Sequence, residues 1–277
     1  MADQIEHDEA STEAESRQSR QEARQNAITD AVMAAGTIRI ADLAERFEIS
    51  TMTVHRDLDE LESRGLLRKH RGEASALSTV LVESSDVYRA SRERSEKESL
   101  ALAALELIEP GSAIMLDDST TALQLVPHLQ TKRPLTVITN TLTVMNELRS
   151  MTGVTLLGLG GQYYNWCSSY MGRITTAAIY ELRADVLVMS TSAITDGVAF
   201  HQTMETVDVK RAMFDSASRR ILLADHTKFD KRALHAMQPL ADFDEVIVDA
   251  ATASHHVDAL RNAGVNVSIA PRTRTHH

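Results

Sequence analysis

Between residues 112 and 249 short apolar runs alternate with longer amphipathic stretches, and this alternation constrains the fold more than any other feature of the chain. The runs cover 112–117, 135–140, 154–159, 185–190, 220–225 and 245–249, each the length of a buried strand. The intervening segments are long enough for helices. Strand and helix in succession give a mostly parallel sheet covered on both faces, because parallel strands need crossovers that lay helices on the sheet. A further helix, from about Arg92 to Ile108 and stopped by Pro110-Gly111, leads into the first run. Residues 91–272 are therefore expected to form an α/β domain.

The segment before it follows another pattern. Residues 1–19 are polar and rich in Glu, Ser and Ala, the composition of a disordered tail. From Arg20 onward, Ile28, Val32 and Ala35 share a helical face that Gly36 closes. Thr37 to Ile40 reads as extended, and Leu43, Ala44 and Phe47 define a second short helix. Ser50 is placed to cap a third helix ending at Gly65, and Leu66 to Ala76, with Arg71-Gly72 at its middle, reads as a β-hairpin. Three helices and a hairpin make a winged helix-turn-helix over 20–76. Residues 77–90 are left as a linker, neither glycine-rich nor strongly charged, which suits an ordered connection.

The formal charge of −10 argues against a generic nucleic-acid coat, but local charge matters more than the sum. Acids crowd the first stretch, whereas Arg64, Arg68, Lys69, His70 and Arg71 stand together at the end of the candidate reading segment. In the third helix Val54, Leu58 and Leu61 pack inward, which turns Met52, Arg56 and Asp59 outward with Thr53 and His55 on the flanks. The amino-terminal half of such a helix enters the major groove. Candidate contacts to double-stranded DNA are Ser50, Thr51, Thr53, His55 and Arg56 on the helix, with Arg68, Lys69 and Arg71 of the wing on phosphates. The plain alternative is a three-helix bundle with ordinary surface charges.

The second domain carries polar residues at strand ends. Asp118 to Thr121 join a strand to a helix beginning near Thr120, so backbone N–H groups and three hydroxyls converge at a positive helix end that suits an anion. Asn140 ends the next run, Gly160-Gly161 the one after it, and Asp225 with Lys228 lies just past another. The carboxyl ends of parallel strands face one crevice, so these segments can share a ligand. Lys228 suits a phosphate, while Asp117 or Asp118 and Asn140 suit hydroxyls. Taken singly, Ser119-Thr120-Thr121 reads as a cap, Gly160-Gly161 as a turn and Asp225-Lys228 as a solvated pair. Tyr163, Tyr164 and Trp166 either line the pocket or serve an oligomer contact or the core. Cys167, the single cysteine, rules out an internal disulfide and a cysteine-rich zinc site, and reads as packed. His255-His256 and His276-His277 lack metal-site spacing and read as exposed. No apolar run approaches the ~20 residues of a membrane span, and no secretory signal pattern opens the chain, so a cytoplasmic protein without metal or cofactor is expected.

The motifs Leu43-Ala44-Glu45, Ser50, Thr53-Val54-His55-Arg56-Asp57-Leu58, Leu61, Gly65-Leu66 and Lys69-His70 resemble the DeoR family of regulators. The resemblance continues to about Asp249, through Glu96-Lys97-Glu98, Leu116 to Thr121, Val137 to Asn140, Gly160-Gly161, Lys210 to Met213 and Asp225 to Phe229. It implies a Rossmann-like sensor domain similar to ribose-5-phosphate isomerase and a repressor of a carbohydrate catabolic operon. The implied effector is a phosphorylated sugar or polyol, and the implied assembly is a homodimer or homotetramer. It also adds Glu205 as an effector contact. The sequence departs from the family at His55 for Arg, at Arg71-Gly72-Glu73 for Gly-Gly-Ala, at Ser119 for Gly and at Ser190 to Ala193 for a glycine-rich turn. The competing readings are an isomerase or deaminase using Asp117 or Asp118 as base with Lys228, and a regulator of an unphosphorylated ligand.

Overall fold

The computed structural model describes residues 20–21, 23–33, 35–63, 66–76, 86–90 and 92–272, and the chain divides into two compact units with the boundary between Ser91 and Arg92. The tail expected at 1–19 and residues 77–85 of the expected linker lie outside the described residues, as do Arg64, Gly65 and His276-His277. Asp86–Ala90 of the linker is helical.

In the first unit, the described residues 20–21, 23–33 and 35 are helical and make up helix α1, which gives way to Gly36, whose φ of +72° is the left-handed conformation of a helix C-terminus. Helices α2 (Ile40–Arg46) and α3 (Thr51–Ser63) follow. Strands β2 (Leu67–His70) and β3 (Glu73–Ala76) form the wing, and β1 (Thr37–Arg39) pairs with β3, so the extended piece becomes a third strand in the order β1-β3-β2. His70 pairs with Glu73 across Arg71 and Gly72, whose φ values are 47° and 83°. Two positive φ values define the tight hairpin turn compatible with strand twist. Glycine sits at its second position, so the departure at Glu73 leaves the turn intact. Ile28, Ala31 and Val32 of α1 pack with Leu43, Leu58 and Leu61 in one core; Ala31, not Ala35, completes the α1 stripe. Within that core Asp57 is fully buried and accepts from Arg24 Nε and Nη2 at 2.6 and 3.0 Å and from Gln25 Nε2 at 3.3 Å.

The second unit is built on a seven-stranded parallel sheet in the order β15-β14-β12-β9-β4-β5-β6. Its strands are β4 (Ala113–Leu116), β5 (Leu135–Thr139), β6 (Val154–Gly158), β9 (Ala184–Ser190), β12 (Ala217–Ala224), β14 (Glu245–Val248) and β15 (Val267–Ile269). All six apolar runs are strands. Because alternate residues face opposite sides, Met115, Leu187, Met189 and Leu222 join one core, and Ile114, Leu116, Val188 and Leu223 the other. The helices Arg173–Tyr180, Met204–Asp215 and Ser254–Asn262 cover the first face, and Arg94–Leu105 covers the second. The chain builds outward from β4 through β5 to β6, then returns to β9 on the other side of β4, so the order reverses between β4 and β9. Three short elements had no apolar run to announce them: β15, the hairpin β7 (Gln162–Tyr164) with β8 (Ser169–Met171), and the small antiparallel sheet of β10 (Ala193–Thr195), β11 (Val198–His201) and β13 (His235–Pro239). Ala122–Lys132 is a 3-10 segment, not an α-helix beginning at Thr120. Pro127 lies inside it and supplies no N–H for a continuous α-helical ladder.

Candidate ligand site and nucleic-acid interface

The α3 surface is set by what lies beneath it. Val54, Leu58, Leu61 and the Asp57 anchor fix the helix rotation, leaving Ser50, Thr51 and Arg56 exposed, Met52 79% exposed, and Thr53 and His55 half-buried. Ser50 caps α3 as expected: its Oγ accepts from Thr53 N at 3.2 Å and lies 2.9 Å from Thr53 Oγ1. Arg56 makes no side-chain hydrogen bond or ion pair among the described residues, so its guanidinium is presented to solvent. On the wing Arg68 and Arg71 are exposed. Lys69 differs from them: its ammonium pairs with Asp59 of α3, and its backbone N–H donates to Glu62 Oε1 at 2.9 Å. Lys69 thus braces the wing against the helix.

In the second unit the parallel sheet turns every strand's carboxyl end to one rim. That rim gathers the Asp117–Thr121 loop after β4, Asn140 after β5, Gly160-Gly161 after β6, Thr191 after β9, Asp225 to Lys228 after β12 and Asp249 after β14. Apart from the two glycines, His226 and Thr227, these residues are buried. The rim includes all the effector residues expected from the sequence except Glu205, which is exposed on the first turn of Met204–Asp215. A surface cleft of about 340 Å³, lined by Leu135, Thr136, Val154 and Thr155, lies at the opposite, amino ends of β5 and β6 and holds none of them.

At the switch point Asp117 ties the two directions of the sheet together. Its Oδ1 accepts from Ser119 N at 3.0 Å and Ser119 Oγ at 2.5 Å, and its Oδ2 accepts from Ser190 N at 2.9 Å and from Lys210. Both oxygens are engaged, which leaves Asp117 poorly placed as a proton acceptor. Lys210, fully buried on Met204–Asp215, also contacts Asp118 Oδ1 at 3.1 Å and donates to Ser190 O at 3.1 Å. Burial works to lower the Lys210 pKa, yet the charges and hydrogen bonds of Asp117 and Asp118 hold it above the ordinary lysine value. Ser119, where the family has glycine, does not adopt a positive φ; its Oγ donates to Asp117 and accepts from Ala122 N at 3.1 Å. The serine thus caps the 3-10 segment, and the loop needs no glycine there.

Asn140 is 1% exposed; its Nδ2 donates to Tyr170 O at 2.9 Å, while its buried Oδ1 has no hydrogen-bond donor among the described residues. Such an orphaned acceptor costs about 1–3 kcal/mol unless a ligand or water supplies a donor. The two rim glycines differ. A Cβ on Gly161, whose φ is +151°, would stand 2.1 Å from Thr175 Oγ1 and 2.8 Å from Met171 O, whereas one on Gly160 would meet nothing within 4 Å. Asp225 caps His226–Phe229 by accepting from Thr227 N at 3.1 Å and from Thr227 Oγ1, and lies 3.5 Å from Lys228 Nζ. Burial would raise its pKa, but Lys228, the Thr227 hydrogen bond, Lys97 and Lys231 outweigh it and hold the carboxyl below its ordinary range.

The rim residues Thr191, His226, Thr227 and Asp249, and the buried lysines Lys97 and Lys210, were not singled out from the sequence as site residues. His226 N donates to Asp249 Oδ2 at 2.5 Å, and its Nδ1 lies 3.1 Å from the same oxygen. Lys97 and Lys210 are buried lysines on apolar helix faces, and that signal, a lysine at a position where periodicity calls for a hydrophobe, was legible. Of the aromatics, Tyr164 and Trp166 pack on the core and Tyr163 is 44% exposed. Cys167 is buried with Sγ 3.7 Å from Tyr164 O. His256 departs from the expected exposure: its ring stacks on Phe229 at 4.6 Å, which half-buries it.

Comparison with known proteins matches residues 24–80 to the DeoR-like helix-turn-helix domain and residues 92–250 to the DeoR C terminal sensor domain. The transcriptional repressor AccR of Agrobacterium fabrum is 32% identical over 83% of this chain and 90% of its own. The glycerol-3-phosphate regulon repressor of Escherichia coli is 30% identical over 83% of this chain and 92% of its own. The lactose phosphotransferase system repressor of Lactococcus lactis is also 30% identical, over 83% and 92%. Among solved structures, ribose 5-phosphate isomerase A of Methanocaldococcus jannaschii is 14% identical over 48% of this chain and 53% of its own, at a TM-score of 0.35.

Proposed function

The chain belongs to the DeoR family of transcription regulators, and from that premise we propose that it is a repressor of a carbohydrate catabolic operon whose DNA binding is controlled by a phosphorylated sugar or polyol. One observation carries the effector half of this reading. The rim of the parallel sheet holds buried carboxylates, a buried acceptor at Asn140 Oδ1 that has no donor among the described residues, and the buried ammonium of Lys228. Carboxylates and amides suit hydroxyls, and an ammonium suits a phosphate. The names of relatives fit this class, one being a repressor of a glycerol-3-phosphate regulon and another of a lactose phosphotransferase system.

DNA recognition falls to α3, with Arg56 on guanine and Thr51, Thr53 and His55 beside it, while Arg68 and Arg71 supply phosphate contacts. Lys69, held by Asp59, contributes less charge to the duplex than its wing neighbours. A single module buries too little surface for high specificity, so the protein acts as a homodimer or homotetramer on repeated half-sites. A ligand shifts DNA affinity only by binding one arrangement of the paired heads better than another. The test selects operator duplexes from a random library, then titrates phosphorylated and free sugars into the complex while following anisotropy and ligand integrity. Release by a phosphorylated sugar that remains intact is expected; consumption of the ligand at constant anisotropy would favour an enzyme and refute the repressor.

A further inference from the structure

The helix Arg173–Tyr180 carries no charged residue from Ile174 to its end. Its inner face is settled: Thr175 and Ile179 are fully buried, and Thr175 Oγ1 donates to Gly160 O at 2.8 Å. On its outer face Arg173, Ile174, Ala177, Tyr180 and the capping residue Glu181 recur at helical spacing and are all exposed, Ile174 by 72% and Tyr180 by 50%. The neighbouring helix Met204–Asp215 instead turns Glu205, Asp208, Arg211 and Asp215 to water, as a solvated face does. An apolar outer face on a helix that already covers a sheet marks a contact surface. The charges at its two ends say what the partner is. Neither Arg173 nor Glu181 makes a side-chain hydrogen bond or ion pair among the described residues, and ~12 Å of helix keeps them from pairing with each other. Arg183, the next cation, is turned back onto Tyr180 O and Leu182 O at 3.1 and 2.7 Å.

We infer that this outer face is the surface through which two copies of the chain pair, helix against helix, antiparallel about Ala177. A second copy laid that way sets Arg173 opposite Glu181 of the partner subunit and Ile174 opposite the partner subunit's Tyr180, and the two-fold axis repeats each pair. The small side chain of Ala177 at the axis lets the helices approach closely. A helix of this length cannot alone bury the roughly 800 Å² per partner of a stable interface, but the elements beside it add apolar surface. Thr206 Oγ1 lies 3.6 Å from Met171 Sδ, which brings the first turn of Met204–Asp215, with Met204 47% exposed, against the start of this helix. Exposed Tyr163 stands on β7, whose partner β8 runs into the helix through Gly172. The inference rests on the proposed homo-oligomer and names its contact.

The deciding experiment is sedimentation velocity of the full-length protein over a concentration series, with far-UV circular dichroism to check folding. Ala177→Glu sets like charges against each other at the axis, so the dimer dissociation constant should rise at least about a hundredfold, or a tetramer should fall to dimers. Arg173→Glu and Glu181→Arg each place like charges at both ends of the contact and should each raise it about tenfold. Combined in one chain, the two swaps restore opposite charges in the same register and should return it to within about threefold of the parent. That rescue requires two chains, because the positions are too far apart to interact within one. The charge swaps decide the question even where Ala177→Glu does not fold. A folded Ala177→Glu chain that keeps the parent's assembly overturns the inference and leaves the proposed function standing. Single swaps without effect, or with an effect that the double swap does not repair, overturn it equally. A parent that is monomeric at every concentration and on its operator removes the proposed homo-oligomer and the inference with it, while the effector titration stands as a separate test.

Discussion

Replacing Lys210 by Met tests how the switch point is held together. Lys210 is fully buried, and its ammonium contacts Asp117, Asp118 Oδ1 at 3.1 Å and Ser190 O at 3.1 Å. Methionine fills nearly the same volume, so packing changes little, but two buried carboxylates lose the cation between them. Asp117 retains Ser119 and Ser190 as donors; Asp118 loses its ion pair. Breaking a buried pair by removing one partner costs about 3–5 kcal/mol. With a urea slope of about 2–3 kcal/mol/M, the midpoint should fall by roughly 1–2 M. Trp166, the single tryptophan of the chain, packs on the core of the second unit, so its fluorescence reports that unit's unfolding. The pH dependence adds an independent check. In the parent, the raised Lys210 pKa contributes stability that is full below the ordinary lysine value of about 10.4 and is lost as pH rises through the folded value, so the gap should narrow in strong alkali. A midpoint at pH 7.5 within about 0.3 M of the parent would refute the ion-pair account.

Other perturbations probe separate parts. Asp57→Asn should cost about 2–4 kcal/mol in the first unit and weaken DNA binding on every duplex alike, since Asp57 is buried under α3 and leaves the Arg24 guanidinium without its bidentate partner; helix-selective hydrogen exchange would register it. Arg56→Ala should cost about 1–3 kcal/mol on the selected operator and relax one base preference, and equal loss on random duplexes would exclude base reading. Gly161→Ala, whose Cβ would meet Thr175 Oγ1 and Met171 O, should lower the Trp166 midpoint, whereas Gly160→Ala should leave it nearly unchanged. Burial works against a charged His226, but Asp249, Glu93 and Asp225 raise its pKa above the ordinary value of about 6.5. Its stabilisation is thus full below that value and lost as pH rises through the folded one. His226→Gln should match the parent above pH 8 and fall below it at pH 6.

The division into two units, the six central strands and the exposed face of α3 were determined by the sequence itself. Each depends on local periodicity: alternation in a strand, a 3.6-residue stripe in a helix, a left-handed glycine at Gly36. The rim residues Asn140, Gly161 and Lys228 were legible for the same reason, because a residue just beyond an apolar run must lie at that strand's carboxyl end. Periodicity says which face an element buries but not what it is buried against. The partners of Asp117 came only with the strand order: β9 returns beside β4, which brings Ser190 N to its carboxylate, and the helix Met204–Asp215 carries Lys210 over the same point from 93 residues away. The pairing of Lys69 with Asp59 depends likewise on the wing folding back on α3, and the burial of Lys97 on a helix laid across β12 and β14. Charges far apart in the chain interact strongly only where the fold removes water from between them, and that removal is a property of tertiary packing.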